Sequence, residues 1–80
     1  VIEIIVFRPH QFSYKTLLEM SGEEAMHHGL IFEGKNFSVN YVEYPAPKNG
    51  GIKRIWYAVE EGLAVAEEQV LHAERNLDAK

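Results

Sequence analysis

The chain has 80 residues, 46% of them hydrophobic and 25% charged, which is ordinary globular composition and sets aside disordered, collagen-like and low-complexity classes. It carries no cysteine and a formal net charge of -4, so disulfide staples, thiolate metal sites and a cysteine nucleophile are all excluded. The expectation is one small domain, since a chain of this length buries only roughly 60% of the surface it exposes when unfolded.

The charge is unevenly placed. Residues 1–59 hold six acids and six bases, whereas residues 60–80 hold six acids against Arg75 and Lys80, so the net charge belongs to the C-terminal segment. An acidic C-terminal segment repels a phosphate backbone, and nucleic acid is not an expected partner. No apolar run approaches the ~20 residues of a membrane-crossing helix, and no signal-peptide core is visible. The expected setting is therefore soluble and cytoplasmic, with no membrane partner.

Residues 1–7 read as a strand: β-branched residues and Phe7, interrupted only by Glu3. Both of its faces are apolar, which suits a central strand covered on each side. Pro9 ends it, because proline has no amide hydrogen for a ladder. From Tyr14 to His28 the period turns helical, with Tyr14, Leu17, Leu18, Ser21 and Ala25 on one face and Gly29 as the terminator. Within it, Ser21-Gly22-Glu23-Glu24 is itself a capping box, where such a helix can break and restart.

Residues 30–44 read as a hairpin. Strands at 30–33 and 37–44 flank the turn chemistry of Glu33-Gly34-Lys35-Asn36, and Phe37, Val39 and Tyr41 share one face. Pro45, Pro47 and Lys48-Asn49-Gly50-Gly51 form the corner that follows.

The last stretch supports two readings. Ile52, Trp56, Val59, Leu63, Ala66, Val70, Ala73 and Leu77 fall at heptad spacing, which favours one continuous helix over 52–77 with a single apolar seam. The alternative is a fourth strand at 52–59, supported by its β-prone residues, by Asn49-Gly50 as a hairpin signal, and by the poor fit of Lys53 and Arg54 to a helix start. A helix of twenty-six residues spans roughly 39 Å and would overhang a domain about 30 Å across. This predicts self-association along Leu63, Ala66, Val70, Ala73 and Leu77. The predicted fold is therefore α+β: a small antiparallel sheet, one helix over 14–28 and a long C-terminal helix ending near 77.

Chemistry is sparse. Glu24, His27 and His28 share a helical face, but a carboxylate-bridged metal pair needs a second copy of the motif, and histidines at a helix end already suit its dipole. Glu68 and His72, four apart, read as an ordinary surface pair. Nucleophile-elbow, phosphate-loop, dinucleotide-turn, zinc-protease and EF-hand motifs are missing, so neither an enzyme nor a cofactor is expected. The expected function is a non-enzymatic homo-oligomeric interaction module, such as a small acidic inhibitor or adaptor of a larger protein. The alternative is a binder of a phosphorylated ligand or nucleotide at the 47–54 corner. There Gly50 and Gly51 would let backbone amides approach an anion, a helix N-terminus would face it, and Lys48, Lys53 and Arg54 would supply charge.

Overall fold

The computed structural model describes residues 1–45 and 50–78. In chain order its elements are β1 (Ile2–Phe7), β2 (Tyr14–Leu18), α1 (Gly22–His28), β3 (Leu30–Phe32), β4 (Lys35–Pro45), β5 (Ile52–Glu60) and α2 (Glu67–Asp78). All five strands form one sheet in the order β2-β1-β5-β4-β3. The fold is α+β, with a helix on each face of the sheet.

β1 is an interior strand, paired with β2 on one edge and β5 on the other, as its two apolar faces require. Ile4, Ile5 and Val6 are essentially unexposed. Ile4 and Val6 join Ala25 of α1, Leu18, Leu30, Phe37, Val39 and Ala58 in one core layer. Ile5 points the other way and joins Val42, Ile55, Val70 and Ala73 under α2. The period of two along a strand divides consecutive apolar residues between two half-cores, which is why a run without alternation belongs in the middle of a covered sheet.

Three expectations are corrected. The sheet is mixed rather than antiparallel, because β1 runs parallel to β5 with Ile4 opposite Trp56 and Phe7 opposite Val59. The helix expected over 14–28 is a strand followed by a short helix: Tyr14–Leu18 pairs antiparallel with β1, and α1 starts only at Gly22. The break lies at the capping box, where the Glu24 amide donates to Ser21 Oγ at 3.1 Å. α1 ends at Gly29, which takes a φ of 73° and donates its amide to the Ala25 carbonyl.

The third correction concerns the continuous helix over 52–77. Residues 52–60 are β5, paired along its length with β4, with Val42 opposite Ile55 and Tyr41 opposite Trp56. A turn at Gly62, with φ of 92°, then separates β5 from α2, so residues 61–66 are not helical either. α2 begins where Ala66 donates its amide to Gln69 Oε1 at 2.9 Å and its carbonyl accepts from the Gln69 and Val70 amides, the reciprocal half of a capping box. Its 12 residues span roughly 18 Å, which removes the overhang.

Candidate functional site

A concavity runs between α2 and the segment joining β1 to β2. That segment is shaped at its start by Arg8, whose Nε donates to Glu60 Oε1 at 3.1 Å and whose Nη1 lies 3.3 Å from Glu33. The hydrogen bond to Glu60 is the main reason the Arg8 pKa is raised, so its guanidinium stays charged. His10 then takes a φ of 61°, a left-handed conformation that reverses the chain. The turn leaves Phe12 98% exposed. Facing it, α2 buries Val70, Ala73 and Glu74 against the sheet and keeps Glu68, His72, Arg75 and Asn76 outward. Between the two walls lies an open groove of about 1010 Å³ lined by Phe7, Phe12, Leu71, His72, Asn76 and Leu77 among others.

A second cluster holds α2 in place. Glu74 is buried, and its Oε1 lies 3.0 Å from Lys15 Nζ of β2 and 3.5 Å from Lys53 Nζ of β5. Both lysines stand on the α2 side of the sheet, so one carboxylate fastens the helix to two strands. A third cluster lies on the opposite face. Arg54 stacks 4.3 Å from the centre of the Tyr41 ring and reaches Trp56. It also pairs with Glu43 at 3.0 Å and with Glu23 of α1 at 3.4 Å. Hydrogen bonding to Glu43 is the leading cause of its raised pKa.

The residues singled out for an anion site are not brought together. Lys53 and Arg54 are neighbours on a strand and project to opposite faces, each beside a carboxylate. Gly50 and Gly51 form the bend before β5, with Gly50 at a φ of 69°, and Lys48 lies outside the described residues. The helix N-terminus that the corner required does not exist, because Ile52 begins a strand.

The seam residues are also separated. Val70 and Ala73 are buried in the chain's own core, Leu77 packs at its margin and lines the groove, and Ala66 is exposed at the helix start. Leu63 lies in the turn after β5, with its amide on the Glu60 carbonyl. His27 and His28 end α1, exposed, with their rings edge to face at 4.8 Å.

Sequence reasoning missed Phe12, Leu71, Glu68 and Arg75 as a group. Its available signal was Phe12 itself, an aromatic set between Gln11 and Ser13 in the segment that follows Pro9. Among the described residues there is no group of three potential metal ligands, and no helix is long and apolar enough to cross a membrane. Comparison with protein-family models, with curated proteins and with solved structures finds no match.

Proposed function

We propose that this chain is a non-enzymatic, homo-oligomeric protein-interaction module that acts as a small acidic inhibitor or adaptor of a larger protein in the cytoplasm. The observation that carries the reading is the groove along α2 with Phe12 standing exposed at its rim. An aromatic ring held in water beside an apolar concavity is a contact residue in waiting, since burying such a ring contributes roughly 2 kcal/mol or more. The ionic side chains support the same reading. Arg8, Lys15, Lys53 and Arg54 each hold a carboxylate of this chain, and their contacts fasten the fold. The cysteine-free composition supports a reducing compartment.

Multi-angle light scattering over a range of micromolar concentrations tests self-association. The expected mass exceeds that of one chain and falls on dilution, and a monomer mass throughout overturns the reading. The adaptor role is tested by affinity capture from the native host with wild-type and Phe12→Ser chains side by side. A protein retained by the first and lost by the second is expected, and equal retention removes the groove from the argument.

A further inference from the structure

The outer face of α2 carries its charges in an order that is complementary to itself reversed. Glu68, Leu71, His72 and Arg75 fall at i, i+3, i+4 and i+7, so they form one stripe over two turns in which Glu68, His72 and Arg75 are exposed and Leu71 is half-buried. Among the described residues neither Glu68 nor Arg75 has an ion-pair partner. The stripe borders the groove and Phe12.

From these observations we infer that the occupant of the groove is a second copy of this chain, whose α2 lies antiparallel to the first about a two-fold axis passing between Leu71 and His72. This inference rests on the reading of the chain as self-associating and names the surface that does it. About that axis Glu68 of one protomer faces Arg75 of its partner at both ends of the contact, with Leu71 against His72 between them. Each charge lies about 5 Å along the helix from the axis, within reach of its opposite. A parallel arrangement would set Glu68 on Glu68 and Arg75 on Arg75, so the charges select the antiparallel one. The geometry is that of a helix laid in a groove, made isologous by the two-fold. Each α2 is then flanked by the other protomer's 11–13 segment, and Phe12 of each is covered.

The complementarity makes a mixing experiment decisive. In Glu68→Arg, both ends of a homodimer become arginine against arginine; in Arg75→Glu they become glutamate against glutamate. A one-to-one mixture of the two variants forms a heterodimer in which every end is again opposite in sign. Sedimentation equilibrium is expected to show each variant alone dimerising about tenfold more weakly than wild type, or worse. The mixture is expected to recover wild-type dimerisation. Both positions are exposed, and circular dichroism tests whether each variant is folded; Glu68→Gln and Arg75→Gln, each weakened in low salt, serve where a reversal does not fold.

Wild-type dimers unaffected by either reversal, or a mixture no tighter than its components, overturn this geometry while leaving homo-oligomerisation standing. A wild-type chain that is monomeric throughout overturns the geometry and the self-associating reading together, and leaves the groove to a different protein.

Discussion

Trp56 joins parts of the chain far apart in sequence. Its ring lies 5.0 Å from Tyr41 on β4, and a Cβ added to Gly22 would fall 2.2 Å from its ring carbons. α1 can thus start where it does only because residue 22 has no side chain. Replacing Gly22 by alanine forces the helix or the ring to move, and the expected cost is about 1–3 kcal/mol, read from urea denaturation followed by Trp56 fluorescence. An unchanged midpoint would show that α1 is not held against the ring.

Glu74 supports a second prediction at the same scale. It is a buried carboxylate with Lys15 and Lys53 on one oxygen, so Glu74→Gln keeps the shape and removes the charge. The expected loss is about 1.5–3 kcal/mol, the range for hydrogen bonds to charged groups. A loss within experimental error would mean that apolar burial alone holds α2. The arginine pairs respond differently to pH. The folded-state pKa values of Arg8 and Arg54 are raised, so their contribution is fully present below the unfolded value and lost only as pH rises through the folded one. That window is strongly alkaline, and the arginines keep their charge throughout the neutral range.

Among the elements, β1, the hairpin and the Ser21 cap were legible because each has a local cause: a two-sided apolar run, turn residues, and a serine three places before a glutamate. β5 was not. A strand covered on both faces places apolar residues at consecutive positions, here Ile55 to Val59, and such a run meets a helical template as readily as a strand template. The heptad that continued through Leu63 and Ala66 was a coincidence of a strand, a turn and a helix in phase. What decided the matter lay across the sheet, where Arg54 meets Glu43 and Ile55 meets Val42, and cross-strand partners cannot be read along one segment. The groove was illegible for the same reason, since its walls are sixty residues apart and meet only when α2 packs back over β1.

The division of α2 into an inner and an outer face carries its own prediction. Val70 is fully buried beneath the helix, so Val70→Ala creates a cavity and is expected to cost about 1–3 kcal/mol of folding stability. Leu71→Ala, half-buried at the core margin on the groove side, is expected to cost the dilute monomer less folding stability than Val70→Ala does and to weaken association as well. Equal effects of the two substitutions on folding stability would contradict the assignment of faces.

At the scale of the whole molecule, the sheet closes through its least local pairing. β1 is the first strand and β5 the last, yet they are neighbours, with Ile4 opposite Trp56, and the central layer is incomplete until both have formed. Loop closure over about fifty residues precedes the contacts that compensate it, so the topology sets a slow folding rate for so small a chain. The hairpin of β3 and β4 and the pair of β1 and β2 can each form locally, but neither covers Ile5 or Val6 without β5. Folding is therefore expected on the millisecond-to-second timescale rather than in microseconds. Stopped-flow mixing with Trp56 as the reporter measures it directly, because Trp56 meets Ile4, Tyr41 and Gly22 only when β5 enters the sheet. A sub-millisecond phase carrying the full fluorescence change would mean that the β1–β5 junction is not the limiting event. A chain truncated after Pro45 provides the complementary measurement. It keeps four of the five strands, loses the one between β1 and β4, and is expected to show no cooperative unfolding transition.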